Sequence, residues 1–354
     1  MSKAIKLLVC YNSPASVYEV YSGKPLAGGA VAGEDLSETS LLREMHLIQS
    51  SLKKYYSRIE LLAIGRDVHE NIRAIRKASP DVILNFVESI EGIASFEAYH
   101  AGLYPLLGIP YTGNAPQTLG NCLDKSFTKK ILSAHNIKTP EFMVIKPGQR
   151  VTEKSFTLRF PVITKLLKED ASIGISENSV VHDFAALRRQ LNFLRKTYQQ
   201  DILVEEYIDG RELNVAILGD KALPVSEISF KKLPPDLPKI VTYEGKWMAE
   251  SVYYKGTQGV CPAKLSQRAL KKVTETAMQS FKALECRDYA RVDIRLSKEG
   301  TPYVIEVNPN PDISSDSGFF RAARTSGLDY PKMLHTLISL ALKRRNIDTY
   351  TEAV

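Results

Sequence analysis

Residues 289–310 read Tyr289-Ala290-Arg291-Val292-Asp293-Ile294-Arg295-Leu296, then Ser297-Lys298-Glu299-Gly300-Thr301-Pro302, then Tyr303-Val304-Ile305-Glu306-Val307-Asn308-Pro309-Asn310. From Arg291 to Leu296 charged and apolar residues alternate, the period of a half-buried strand. Glu299-Gly300 reads as the turn of a hairpin, and Tyr303 to Asn308 as the strand that returns. Strict alternation on that strand puts Val304, Glu306 and Asn308 on one face and Ile305 and Val307 on the other. One face of the hairpin can then carry Arg291, Asp293, Glu306 and Asn308 together. Two carboxylates and an amide oxygen are hard ligands. They suit Mg²⁺, which keeps several waters and takes its remaining positions from substrate phosphates. The alternative is an exposed, ion-paired sheet face on which Arg291 and Arg295 neutralise the acids. An exposed pair contributes only about 0–1 kcal/mol, so stability alone hardly demands this set. On spacing alone the two readings stand level.

Upstream, the first third of the chain alternates β-rich runs with amphipathic helices. Strands are expected at 5–9, 59–64, 82–86 and 109–111, and helices at 40–55, 68–77 and 96–107. On the first helix Leu41, Met45, Ile48 and Leu52 share a face. This βαβαβ rhythm implies a parallel sheet wrapped by helices, with ligands beyond the carboxyl ends of its strands. The stretch from Tyr21 to Glu38 breaks the rhythm and holds Gly23, Pro25, Gly28, Gly29 and Gly33. With no strand-GxGxxG-helix register, it reads as a substrate-covering loop or an insertion ahead of a phosphate cradle. Next come a helix at 124–134, strands at 142–145 and 160–166, the polar loop Lys168 to Gly174, a helix at 183–198 and a strand at 202–205. The expected organisation is therefore α/β followed by α+β. An N-terminal Rossmann-like parallel-sheet domain spans 1–120 and a small middle α+β domain 121–210. A C-terminal antiparallel-sheet domain with the metal site spans 211–345.

At 354 residues, with 44% hydrophobic and 25% charged residues, the chain can bury a substantial core without staples. The net charge of +7 suits an anionic small substrate as well as it suits an unremarked basic surface. The basic residues are scattered, and no RNP or zinc-finger pattern accompanies them, so nucleic acid is not an expected partner. Cys10, Cys122, Cys261 and Cys286 stand far apart, without CxxC or metal spacing; free thiols in a reducing, cytoplasmic compartment are expected. The six histidines are dispersed. No signal-peptide pattern is apparent, and no stretch reaches the length of a membrane span.

A series of motifs now adds to the hairpin. Gly108-Ile109-Pro110-Tyr111-Thr112-Gly113, Leu123-Asp124-Lys125-Ser126 and Lys165 with its following loop precede Glu205-Glu206-Tyr207-Ile208-Asp209-Gly210-Arg211-Glu212. Tyr243-Glu244-Gly245-Lys246-Trp247 and Cys261-Pro262-Ala263 come next, then Asp288 to Asp293 and Ile305-Glu306-Val307-Asn308-Pro309. In kind and order these resemble the D-alanine–D-alanine ligase branch of the ATP-grasp family, from about residue 80 almost to the end. The resemblance implies an ATP- and Mg²⁺-dependent enzyme that joins a carboxylate to an amine through an acyl phosphate. Two ions are expected, with Mn²⁺ a workable substitute. It implies that Lys125 and Lys165 hold ATP from the middle domain and that Ser172 lies in the nucleotide loop. Glu205, Glu206, Tyr207 and Ile208 would form the adenine-contacting hinge. Glu212 would bind ribose hydroxyls, and Lys246 would add a phosphate contact. Asp293, Glu306 and Asn308 would ligate the metals, and family members often dimerise through the first domain.

Bottom-up chemistry agrees, because phosphoryl transfer to a carboxylate needs charge neutralised and geometry fixed. The tetrahedral oxyanion formed when the amine attacks needs a fixed positive donor, for which Arg291 is the candidate. Glu38, in Glu38-Thr39-Ser40-Leu41, matches the family glutamate that holds the first substrate's amine; a helix-start carboxylate favoured by the macrodipole is the competing reading. Ser317 matches the serine that holds the second substrate's carboxylate, or it caps the helix starting near Gly318. The family's serine and tyrosine partners of that glutamate are replaced by Ala171, with Ser172 next along, and by Trp247. Asp312 stands where a glycine is usual. An indole donates but does not accept a hydrogen bond, so the family's triad over the first substrate cannot form. These departures point to amino acid substrates other than paired D-alanines. A phosphotransferase that stops at phosphoryl transfer and a silent nucleotide-binding regulator are the competing functions.

Overall fold

The computed structural model describes residues 5–13 and 36–351, with 36–43 and 345–351 described by their backbone course alone. The expected loop from Tyr21 falls outside the described residues until α1 (Leu36–Leu52) begins. Strands β1 (Lys6–Asn12), β2 (Arg58–Ile64) and β3 (Val82–Phe86) form a parallel sheet of order β2-β1-β3, with α2 (Val68–Ala78) between β2 and β3. The helix expected at 96–107 divides into α3 (Phe96–Ala101) and α4 (Leu103–Leu106) around Gly102. The strand expected at 109–111 is reduced to a single parallel bridge between Ile83 and Tyr111.

Helices α5 (Pro116–Leu123) and α6 (Lys125–Ala134) lead to a second sheet. It has order β4-β7-β5-β6, from β4 (Phe142–Ile145), β5 (Val162–Leu166), β6 (Val180–Val181) and β7 (Ile202–Glu206), covered by α7 (Phe184–Tyr198). Asp124 starts α6 by accepting from the Ser126 and Phe127 amides at 3.1 Å each, and Asp183 starts α7 by accepting from Ala186 N at 2.7 Å. On α7, Leu187, Leu191, Leu194 and Tyr198 recur at helical spacing and are buried against Val162, Leu166 and Val204. Each such side chain contributes roughly 1.5–3 kcal/mol.

The third sheet has order β11-β10-β8-β12-β13, with β9 beside β8. Its strands are β8 (Gly210–Leu218), β9 (Lys221–Ala222), β10 (Ser226–Ser229), β11 (Gln258–Val260), β12 (Tyr289–Ser297) and β13 (Pro302–Asn308). The short helices α8 (Tyr243–Trp247) and α9 (Val252–Gly256) precede β11, and α10 (Gln267–Ala283) precedes β12. One face of this sheet is buried by α10 through Val273, Ala277 and Phe281, and Cys122, Leu132 and Ile137 join the same core. Helices α11 (Gly318–Thr325) and α12 (Tyr330–Thr351) complete the chain. Phe319, Met333, Leu334 and Leu337 from these two helices share a core with Leu7, Val9, Met45 and Ile48. The end of the chain thus packs on its beginning.

The hairpin is present, with one correction. Arg291 pairs with Asn308 and Asp293 with Glu306, but a bulge follows and Ile294 pairs with Val304. Ile305 is the inserted residue, so strict alternation fails there. Val304 is 1% exposed and lies in the core with Ile294, while Ile305 faces the cavity described next. Cys10, Cys122 and Cys286 are buried free thiols and Cys261 is partly buried. No helix among the described residues is long and apolar enough to cross a membrane.

Candidate functional site

A cavity of about 770 Å³ lies where the three sheets meet, and Arg291, Asp293, Glu306 and Asn308 all line it. The register explains why: Asp293 has Glu306 as its partner on β13 and Asn214 as its partner on β8. Residues directly opposite on one sheet face lie within reach of each other. Asn214 Nδ2 donates to Asp293 Oδ1 at 2.7 Å, and Asn308 Nδ2 donates to Asp293 Oδ2 at 3.2 Å. Arg291 grips the same carboxylate with both arms, Nε to Oδ1 and Nη2 to Oδ2, each at 2.8 Å. Burial works against the Arg291 charge, but Asp293 and Glu306 beside it raise its pKa. Burial alone would also raise the Glu306 carboxyl. Lys125, Lys165, Lys246 and Arg291 around it outweigh that and pull it down to about 2.

Two of the motif lysines, Lys125 and Lys165, are paired with carboxylates. Lys125, on the first turn of α6, is 6% exposed. It reaches Glu306 Oε1 at 3.3 Å, Asp170 Oδ1 at 3.1 Å and the Glu169 carbonyl at 2.7 Å. It therefore stands between the hairpin and the 168–174 loop. Lys165 meets Glu205 Oε1 at 2.5 Å on the neighbouring strand. The other Glu205 oxygen is 2.6 Å from Lys129 Nζ, one turn beyond Lys125 and 1% exposed. Burial would raise the Glu205 pKa, yet Lys129 and Lys165 hold it below the usual carboxylate value. Lys129 went unread in the sequence; its signal was the helical spacing of four from Lys125. Burial lowers the Lys246 pKa, and Arg291 adds to the effect.

Glu205, Glu206, Tyr207 and Ile208 all line the cavity. The Glu206 carboxylate is bound by Arg159, through Nε at 3.1 Å and Nη2 at 3.2 Å. Glu212 is 2.8 Å from Arg295 Nη2, and burial nevertheless raises its pKa. Arg295 also donates to the Lys239 carbonyl and lies over the Tyr207 ring at 5.3 Å. So Arg295 does neutralise an acid of this face, as the ion-pair alternative holds, but the pair is buried rather than exposed. Asn214 was also missed, although period-two alternation from Glu212 marks it.

The loop before Ile173 turns through left-handed Ala171 and Ser172, with φ of 54° and 63°. Trp247 Nε1 donates to the Ala171 carbonyl at 3.2 Å, so the indole in the tyrosine position ties this loop to α8. Ser172 and Lys246 line the cavity beside it. At the far end, Ser317 Oγ accepts from Phe320 N at 3.1 Å and caps α11, while still lining the cavity; the cap and the substrate reading are compatible. Asp312, at the same end, accepts from Ser314 N at 2.9 Å. Glu38 lies in the first turn of α1, and its side chain is outside the described residues. Glu97, unread in the sequence, accepts from Asn310 Nδ2 at 2.9 Å. Burial raises the Glu97 pKa well above the usual value against that bond.

The donor chemistry fits a hard divalent ion that shares its coordination with phosphate oxygens. Among the described residues no three His, Cys, Asp or Glu side chains converge, so protein atoms alone make no closed cage. Asp293 and Glu306, with amide groups from Asn308 and Asn214, supply a partial set open to the cavity.

Comparison with known proteins places this architecture. Residues 131–339, well over half of the chain, match the family model described as D-ala D-ala ligase C-terminus. The uncharacterized protein y4sG of Sinorhizobium fredii is 35% identical over 263 residues, which is 74% of this chain and 75% of that protein. The D-alanine–D-alanine ligase of Cupriavidus pinatubonensis is 30% identical over 244 residues, 68% of this chain and 70% of the relative. The crystal structure of D-alanine–D-alanine ligase from Bacillus anthracis complexed with ATP aligns with a TM-score of 0.74 at 22% identity. It covers 98% of this chain and 100% of that one. The fold is the ATP-grasp fold, and the protein is an ATP-dependent ligase that forms a carbon–nitrogen bond between a carboxylate and an amine. The chain belongs to the D-alanine–D-alanine ligase family, which uses ATP and Mg²⁺.

Proposed function

We propose that this ligase forms an amide or peptide bond through an acyl phosphate, on amino acid substrates other than paired D-alanines. The observation that carries the reading is the facing of Asp293 and Glu306 across β12 and β13, with Arg291 and Lys125 on their oxygens. Magnesium, when bound there, neutralises the triphosphate tail; two ions, with Mn²⁺ as a substitute, suit Asp293, Glu306 and Asn308. Lys165 and Lys246 take phosphate oxygens, and Ser172 caps the tail from its loop. Glu205 to Ile208 frame the adenine, Glu206 through its backbone because Arg159 holds its side chain. Glu212 takes the ribose hydroxyls. The γ-phosphoryl group passes to the substrate carboxylate, ADP leaves, and the amine attacks the acyl carbon with loss of phosphate. Arg291 donates to the oxyanion of that step. Glu38 holds the first amine and Ser317 the second substrate's carboxylate. The division at 1–120, 121–210 and 211–345 is part of the same reading.

Substrates other than D-alanine pairs are supported by Trp247, whose N–H is spent on the Ala171 carbonyl, and by Asp312 near Ser317. The test is ADP release from ATP and Mg²⁺ across a panel of D- and L-amino acids and dipeptides, with and without hydroxylamine. We expect turnover only when a carboxylate and an amine are both present, a hydroxamate with the trap, and a pair other than two D-alanines as the best. Turnover with one acceptor and no amine would make the enzyme a phosphotransferase, and D-alanine as the best pair would remove the substrate claim.

A further inference from the structure

We propose that Arg321 reads a negatively charged side chain on the amine-bearing substrate, so that this ligase adds an acidic amino acid. The inference deepens the ligase reading and rests on it. Most cavity cations are already committed: Lys165 to Glu205, Arg291 to Asp293 and Arg295 to Glu212. Lys246 sits in the field of Glu306 and Asp293, on the phosphate side. Arg321 also lines the cavity, and its guanidinium has no hydrogen-bond or ionic partner among the described residues. Its backbone alone is bonded, N to the Ser317 carbonyl at 3.0 Å and O from Thr325 Oγ1 at 2.9 Å.

The placement is specific. Arg321 follows Ser317 by one helical turn, so both stand on the same side of α11. The guanidinium packs against Gly259 on β11, where any Cβ would overlap it. Its Nη1 is 3.9 Å from where a Gly318 Cβ would stand. The capping bond of Ser317 goes to Phe320, which leaves the Gly318 N–H at the cavity without an acceptor among the described residues. A planar fork beside a free helix-start amide is matched to a carboxylate. The walls elsewhere are rich in acids, including Glu44, Asp312 and Asp316. An anion entering such a cavity needs a local counter-charge, and an amine is welcomed by those same carboxylates. With the α-carboxylate at Ser317, the amine and the side-chain carboxylate of an acidic amino acid are thereby provided for.

The experiment compares kcat/KM for aspartate and glutamate with that for asparagine, glutamine and alanine as amine substrates, in the wild type, Arg321→Lys and Arg321→Met. Carboxylate activation is scored separately by hydroxylamine-trapped ADP release. The wild type is expected to prefer acidic amines. Arg321→Met should reduce the acidic-to-neutral ratio by about 10- to 100-fold, the range for a hydrogen bond to a charged group. The loss should enter through KM, and Arg321→Lys should recover part of it. A wild-type preference for neutral amines, or an unchanged ratio in Arg321→Met, overturns the proposal and leaves the ligase reading standing. Absence of trapped ADP release with every carboxylate sinks both.

Discussion

Glu205 shows how costly single side chains are in this cavity. Its carboxylate is nearly inaccessible, at 1% exposure, and is shared by Lys129 at 2.6 Å and Lys165 at 2.5 Å. Removing one member of a buried ionic set leaves an uncompensated charge, which costs about 3–5 kcal/mol. Glu205→Gln is therefore expected to lower the unfolding free energy, read from a urea titration, by that order and to weaken ATP binding; an unchanged free energy would show that the lysines find other partners. Arg291, held by two bonds to Asp293, is the proposed oxyanion donor. Arg291→Ala should lower kcat by about 10²–10³, the range for one oxyanion donor, with KM for ATP within a few-fold. Steady-state kinetics decides, and wild-type turnover would remove Arg291 from the chemistry.

Among the elements, β8 carries the tightest constraint. It runs between β10 and β12, and a Cβ on Gly210 would overlap the Leu296 carbonyl oxygen across the strand pair. Backbone cannot give way as a side-chain tip does, so Gly210→Ala is expected to cost at least about 1–3 kcal/mol, read from a urea titration. Helix α3 contributes a pH dependence. His100 is buried, its ring is edge-on to Tyr104 with centroids 5.2 Å apart, and burial lowers its pKa to about 4. Between pH 6.5 and 4 the unfolded chain takes up a proton that the folded chain refuses, so stability falls as pH falls. The loss is about 1.6 kcal/mol from pH 6.5 to 5, by integrating the linkage slope. Urea midpoints of wild type and His100→Phe should diverge over that window, with the variant flatter; parallel curves would contradict it. The hairpin element was legible because charged and apolar residues alternate along β12. Ile305 was not read as inserted, although the adjacent apolar pair Val304-Ile305 breaks the period of two at the place where the bulge falls.

Across the whole molecule, three segments far apart in the chain are tied at one point. Arg344 on α12 donates to Asp288 and, at 2.6 Å, to the Tyr111 carbonyl, while Asp288 accepts from Gly113 N at 2.9 Å. Arg344→Ala is expected to lower the unfolding free energy, read from a urea titration, by about 1.5–3 kcal/mol, the scale for hydrogen bonds to charged groups. A change within about 0.5 kcal/mol would mean the tie is incidental. The sequence by itself determined the βαβαβ opening, the hairpin face of Arg291, Asp293, Glu306 and Asn308, and the strands bearing Lys165 and Glu205. Period and motif order are local, and these residues keep their local geometry when the chain folds. Only the tertiary structure decided that Lys125 would meet Glu306, that Lys129 would share Glu205 with Lys165, that Trp247 would hold the Ala171 carbonyl, and that Arg321 would line the cavity without a partner among the described residues. Those partners come from different sheets and helices, and the choice among many oppositely charged candidates is made by packing, which no one-dimensional pattern records.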